Sequence, residues 1–489
     1  MRKTKIVATI GPACDTPEML KDLLLAGVNV FRLNMSHGEH AKVKSLIADI
    51  RKISGEVDRP VAILMDIQGP KIRVGVFKDG QINLEKGQKF VFDQEPEEGT
   101  SQRVNTTYKT IYKDVKAGDQ ILLDDGKMEV KVLSVVENRV ETEVITGGVL
   151  KNKKGMNLPD VTISLPPLTE KDIADIQFGC TEDIDYFAIS FVQRAQDVIY
   201  LRNILNMRKR PDIGIVSKIE KIGAIEDIDR IIEVSDAVMV ARGDLGVEMG
   251  PEKVPNLQKR IITKCNKAGC PVITATQMLD SMEKQVRPTR AEASDVANAI
   301  LDGTDAVMLS GETAAGMYPR ESVEMMRKII LETEVEMPYG PKPFPWFEIK
   351  NCTTPQALSY SSAQVANAIG AELICCFTSG GKQPRIVSQF RPKQPIIAIT
   401  FENKVANRVM LYWGVVPILI KEMARLDDEI IEAEEELLRR KWAQEGDRLI
   451  VMGGIPTHIS GSTNMIKVHA VKDGTTLEKN YIFDFANRT

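Results

Sequence analysis

The sequence predicts an α/β protein built on a (β/α)8 TIM barrel, with an inserted β-barrel lid domain and a C-terminal open α/β domain. Three observations predict it. The chain has 489 residues, and about 150 residues per domain gives about three domains. Eight short apolar runs alternate with helical segments: KIVATIGP, VNVFRLNMSHG, VAILMDIQGP, DYFAISFVQ, GIVSKIEK, AVMVARGDLG, PVITATQML and AVMLSGET. That rhythm is the signature of βα units and a parallel sheet. Each run also closes on polar residues: Thr9; Arg32, Asn34 and Ser36; Asp66; Ser190; Lys218 and Glu220; Arg242 and Asp244; Thr276 and Gln277; Ser310 and Glu312. Buried parallel strands are apolar throughout, so polar ends on all of them need a cause. A barrel supplies one, because the C-terminal strand ends build its active site. An open doubly wound sheet is the competing architecture, and the count of eight favours the barrel.

Between the runs lie amphipathic stretches such as TPEMLKDLLLAG, EDIDRIIEVS, VPNLQKRIITKCNKAG and RAEASDVANAILDG. The rhythm breaks after Gly69-Pro70. There RVGVFKDGQINLEKGQKFVF and AGDQILLDDGKMEVKVLSVVENRVETEVI alternate apolar and polar residues around DG, KG and EN turns, the pattern of β-hairpins. Residues 70–154 are expected to form the lid, over the catalytic end of a barrel made from 1–69 and 155–335. MPYGPKPFPW marks a boundary. Strand-like and helical segments then alternate through 336–489, the C-terminal domain.

Composition removes several function classes. Lys+Arg is 64 and Asp+Glu 68, a net charge of −4, unlike a duplex nucleic-acid binder. No apolar run approaches the roughly 18 residues of a membrane span. The opening MRKTKIVATIGPAC reads as a strand, not as a signal peptide. Seven cysteines without a CxxC, and only four histidines, favour a reduced, cytoplasmic location over a disulfide framework.

Lys218 and Glu220 are two apart on one strand and so share a face. The bland reading is a surface ion pair at a strand end. With Asp244, expected near the end of the next strand, two carboxylates suit Mg²⁺ or Mn²⁺. A lysine beside them makes a phosphoryl-transfer set, metal and fixed cation against phosphate charge. Arg32 suits a bidentate phosphate clamp. No Walker loop occurs.

The strings RLNMSHG, MDIQGPKIR, KKGMNLP, SKIEK, MVARGDLGVE, TATQML, RPTRAE and DAVMLSGETAAG, in that order over nearly the whole chain, resemble the pyruvate kinase family. The likeness is to the short bacterial form without an extra C-terminal domain. It implies transfer of the phosphoryl group of phosphoenolpyruvate to ADP, giving pyruvate and ATP, the last step of glycolysis. By that resemblance Lys218 would neutralise the phosphoryl group in flight, Arg32 would clamp it, and Glu220 and Asp244 would ligate Mg²⁺ or Mn²⁺. Thr276 would serve protonation of the enolpyruvate, through water because a threonine hydroxyl is a poor acid. Gly243 would adjoin substrate. Arg73, Lys154 and His37 would meet nucleotide or phosphate, and Ser190 and Glu312 would take less individual places. The loop Lys221-Ile222-Gly223 departs from the family's usual polar pattern. Two rival readings remain: a metal-dependent lyase using phosphoenolpyruvate or pyruvate, and a catalytically inactive regulatory homologue.

The resemblance also implies a homotetramer, a monovalent-cation region and an effector loop. Asn34, Ser36 and Asp66 match the K⁺ region, but Lys71 stands where K⁺-dependent members carry glutamate, and Ile67 and Val74 replace threonines. A tethered ammonium in place of a mobile ion implies that K⁺ is not required. Thr378, Ser379, Gly380, Gly381 and Lys382 form the effector loop, with Gly461 in its second wall. The hydroxyls usual at Gly380 and Gln383 are missing, so the expected effector is a sugar monophosphate or AMP instead of fructose 1,6-bisphosphate.

Overall fold

A computed structural model describes residues 1–36, 38–159, 161, 163–337, 351–423, 425–456, 461 and 463–472. Eight parallel strands close on themselves: Lys5–Ile10, Val30–Asn34, Ala62–Asp66, Tyr186–Ile189, Gly214–Ile219, Ala237–Ala241, Val272–Ala275 and Ala306–Leu309. The first pairs with the eighth through Lys5↔Ala306, and the third pairs with the fourth across the whole inserted segment.

The period of two decides where every side chain goes. Val7, Val30, Ala62, Leu64, Ala188, Val216, Met239 and Ile273 fill the barrel interior. Their neighbours Ile6, Phe31, Ile63, Phe187, Ile215, Val238 and Val272 pack outward against the helices. Counting on by twos along the inward face, Val30 leads to Arg32 and Asn34, Leu64 to Asp66, Ala188 to Ser190, and Val216 to Lys218 and Glu220. The same alternation that fills the core thus carries the polar residues to one mouth.

The insertion has its own core around Phe90, Phe92, Val130 and Val140. It holds a six-stranded sheet, in the order Met156–Asn157, Gln120–Leu123, Met128–Val136, Arg139–Thr146, Lys89–Asp93 and Arg103–Asn105, and a two-stranded sheet of Gln81–Leu84 with Gly148–Lys151. Thr169 caps the helix Glu170–Gly179 in a reciprocal box with Asp172. The same Asp172 carboxylate accepts the Gly69 N–H at 3.0 Å, tying the start of the insertion to the barrel helix that follows it.

At the other end of the barrel sits the C-terminal sheet, ordered Val415–Leu419, Ile396–Thr400, Leu373–Phe377, Arg448–Gly453 and Met465–Ala470. Only the last strand is antiparallel. Tyr186 of the barrel donates to Arg408 O at 2.8 Å, and Lys5 Nζ donates to Val415 O at 2.5 Å. No helix among the described residues is long and apolar enough to cross a membrane. Cys14, Cys180, Cys265, Cys270, Cys375 and Cys376 carry free thiols.

Candidate active site

Asp66 organises the mouth. Its Oδ2 accepts from Arg32 Nε at 2.7 Å, and its Oδ1 lies 3.5 Å from Lys218 Nζ. Arg32 Nη1 also donates to Thr9 Oγ1 at 3.0 Å, so the guanidinium is held from two strands. Burial alone would raise the Asp66 pKa, but Lys218 and Arg32 outweigh it and hold the carboxyl below its ordinary value. Lys218 Nζ further donates to Ser190 Oγ at 2.8 Å and lies 2.9 Å from Glu220 Oε1. Burial works to lower its pKa, and the carboxylates of Asp66 and Glu220 reverse the direction, so it stays protonated.

Glu220 follows the last residue of its strand. Its Oε2 accepts the Phe191 N–H at 2.7 Å, and Phe191 has a left-handed backbone, φ 56°. Burial raises the Glu220 pKa, Lys218 opposes that, and the nearby charge of Asp244 adds to it. Oε1 is buried, with the Lys218 ammonium beside it at 2.9 Å. Two carboxylates that repel each other fit a divalent ion. Among the described residues no three His, Cys, Asp or Glu side chains form a complete cage. Mg²⁺ does not need one, since it binds through one or two carboxylates and leaves room for substrate oxygens and water.

Asp244 and Gly243 correct the expectation that they end a strand. The strand stops at Ala241, and both lie in the first turn of the helix Arg242–Met249. The turn aims the Gly243 N–H at Thr276 Oγ1, 2.8 Å away, while that hydroxyl donates to Ala275 O at 2.7 Å. Thr276 and Gln277 both have positive φ, 68° and 52°, which is rare for a β-branched residue. Arg242 holds this turn by donating to Thr276 O at 2.7 Å and Gln277 O at 3.3 Å, and it pairs with Asp295 at 2.6 Å.

Not every candidate joins this cluster. Glu312 turns away from it and accepts the Leu279 and Ser310 N–H groups at 3.0 and 2.7 Å. Lys154 pairs with Asp124 of the lid at 2.8 Å. Arg73, at the other crossing, donates to Lys153 O at 3.1 Å, so the two crossings adjoin. Lys71 Nζ lies 3.6 Å from Asp244 Oδ1. Asn34 Oδ1 accepts the Ser36 N–H at 3.1 Å, and Ile67 is fully buried. His37 lies outside the described residues.

Sequence reasoning missed the Phe191 amide and gave no role to Arg242. Both act through backbone geometry after a strand end, which residue type does not reveal.

In the C-terminal domain, Thr378, Ser379, Gly380 and Lys382 line one side of a cavity that Gly461 and Thr463 line on the other. Gly381 (φ 76°) donates to Thr378 Oγ1 at 2.9 Å. The Gln383 amide is buried and spent on Ser359 Oγ at 2.8 Å.

A protonated lysine and an arginine facing a carboxylate pair at the mouth of a (β/α)8 barrel, under a β lid, define a metal-assisted phosphotransferase. Residues 1–323 match the family model described as pyruvate kinase, barrel domain, and residues 356–469 match pyruvate kinase, alpha/beta domain. A pyruvate kinase of Staphylococcus aureus is 46% identical over 475 residues, 97% of this chain and 81% of that protein. One from Staphylococcus saprophyticus is 46% identical over 476 residues, with the same coverage. The crystal structure of a pyruvate kinase from Cryptosporidium parvum superposes with a TM-score of 0.90 at 35% identity, covering 96% of each chain. The chain belongs to the pyruvate kinase family. It is a phosphotransferase that moves the phosphoryl group of phosphoenolpyruvate to ADP, forming pyruvate and ATP. The family needs a divalent metal.

Proposed function

We propose that Arg32, Lys218, Glu220, Asp244 and Thr276 carry out this reaction at the barrel mouth. The observation that carries the reading is the run of contacts Arg32–Asp66 at 2.7 Å, Asp66–Lys218 at 3.5 Å and Lys218–Glu220 at 2.9 Å. Asp66 fixes Arg32 so that its free edge meets the phosphate as a preorganised clamp. Lys218, kept protonated, sets a fixed charge against the phosphoryl group as it transfers, in a site where a preformed charge needs no reorganisation. Glu220 and Asp244 would hold Mg²⁺ or Mn²⁺, which when bound offsets charge on the carboxylate and enol oxygen of phosphoenolpyruvate. The Thr276 hydroxyl is already engaged with Gly243 N–H and Ala275 O, which supports a water near it, and not the hydroxyl alone, as the proton source for the enolpyruvate carbon. Ser190 steadies the Lys218 ammonium. Arg73 and Lys154, at the two lid crossings, would meet the nucleotide, with His37 beside it by family likeness.

Lys71 would supply the positive charge that K⁺ supplies elsewhere, so K⁺ is not required. Its ion pair with Asp244 supports a tethered cation at the mouth. The family likeness further supports a cytoplasmic homotetramer, activated through the Thr378–Lys382 loop by a sugar monophosphate or AMP. Gln383, spent on Ser359, leaves that loop one phosphate donor short of the bisphosphate pattern. Incubation with phosphoenolpyruvate and Mg²⁺, with and without ADP, tests the main reading. Pyruvate and ATP should appear together and only with ADP. Pyruvate released without ADP would favour the lyase, and none under either condition the inactive homologue.

A further inference from the structure

The loop after Glu220 holds a buried charge. Lys221 does not swing to solvent. Its Nζ lies 2.5 Å from Glu248 Oε1, with side-chain exposures of 11% and 1%. A buried ion pair costs desolvation on both partners, so its retention asks for a reason. The same Glu248 oxygen accepts from Asn157 Nδ2 at 2.8 Å. These three residues come from three separate segments. Lys221 follows Glu220, Glu248 sits one turn beyond Asp244 on the helix Arg242–Met249, and Asn157 lies in the strand by which the chain leaves the lid. Lys221 also stands over the Phe191 ring, 6.0 Å from its centroid, and the Phe191 N–H is the group that holds Glu220 Oε2.

We propose that Lys221 and Glu248 are positioning residues for the divalent-metal pair: their ion pair fixes Glu220 and Asp244 relative to each other and anchors the lid's return crossing to both. This rests on the reading of Glu220 and Asp244 as metal ligands. The physical case is that each carboxylate is carried on a segment just after a strand end, so its position depends on what holds that segment. Both carry like charge, so before a cation binds they tend to part. A clamp joining the two segments supplies the restraint, and Asn157 extends it to the lid.

The test measures Mn²⁺ binding to the full chain by electron paramagnetic resonance, alongside thermal unfolding. Lys221→Met leaves the Glu248 charge buried and unpaired. Lys221→Met/Glu248→Leu removes both charges together, the change that buried pairs tolerate best. Both should weaken Mn²⁺ about tenfold, as loss of an outer-shell partner does, while the double variant melts near the parent. Glu220→Gln is the control for the ligands themselves. If that control weakens Mn²⁺ and the double variant binds it like the parent, the positioning role is overturned while the metal reading stands. If the control leaves Mn²⁺ affinity unchanged, the metal reading falls and this inference with it. Should the double variant melt early, Glu248→Gln gives the same reading, since it keeps shape and an acceptor for Asn157 but removes the charge.

Discussion

Lys5 sits at the joint between barrel and C-terminal domain, 2% exposed, and its ammonium donates to Val415 O. Burial pushes its pKa down from 10.5 to about 7; the nearby Arg2 charge adds to the effect and Glu334 opposes it. In the unfolded chain the group titrates normally, so between about pH 7 and 10.5 the unfolded state binds more protons than the folded one. Stability contributed by this site therefore rises with pH across that window, and the full penalty is present below it. A shift of 10.5 − 7 = 3.5 at 1.36 kcal/mol per unit puts the penalty at about 5 kcal/mol. Lys5→Met removes it but forfeits the bond to Val415 O, worth about 1–3 kcal/mol when a buried acceptor is left bare. The variant should be more stable than the parent by about 2–4 kcal/mol at pH 6 and less stable by about 0–2 kcal/mol at pH 10. Paired urea unfolding of the two proteins at both pH values reads the difference directly. A difference that is constant with pH, or a variant destabilised at pH 6, would refute the assignment of a buried, depressed lysine.

Three further outcomes are expected. Lys218→Met should abolish ATP formation while proton exchange at the pyruvate methyl group persists, because the substitution keeps volume and removes only the charge facing the phosphoryl group; parent-like ATP synthesis would remove Lys218 from the machinery. Turnover in tetramethylammonium salts should be unchanged when K⁺ is added at fixed ionic strength, and Lys71→Glu should create K⁺ dependence; a rise of about tenfold in the parent, 1.36 kcal/mol of barrier, would sink the tethered-cation reading. Gly179→Ala would set a methyl 2.5 Å from Phe187 Cζ and 2.9 Å from Met65 Sδ in the layer between barrel wall and helices, costing about 1–3 kcal/mol of overpacking. An unfolding midpoint matching the parent's would show that this core yields more readily than its packing suggests.

Much of the molecule was legible because one physical rule governs it over long distances. Strands buried on both faces must be apolar, so Arg32, Asp66, Lys218 and Glu220 stood out as exceptions at strand ends. Period-two alternation then put Lys218 and Glu220 on one shared face. The electrostatic outcome was not legible. That Asp66 serves Arg32 and Lys218 together, that Glu220 leans on the Phe191 amide, and that Lys71 faces Asp244 all depend on distances between strands far apart in the chain. The start of the helix at Arg242 was missed because Arg-Gly-Asp continues an apolar run without a cap residue, and Ala241 caps it with no side-chain bond. Local sequence determines which residues are polar and which face they take, since both follow from strand geometry. Which polar groups meet, and at what charge, only the closed barrel decides: Coulomb and desolvation energies depend on separation and burial, and both are properties of the packed chain.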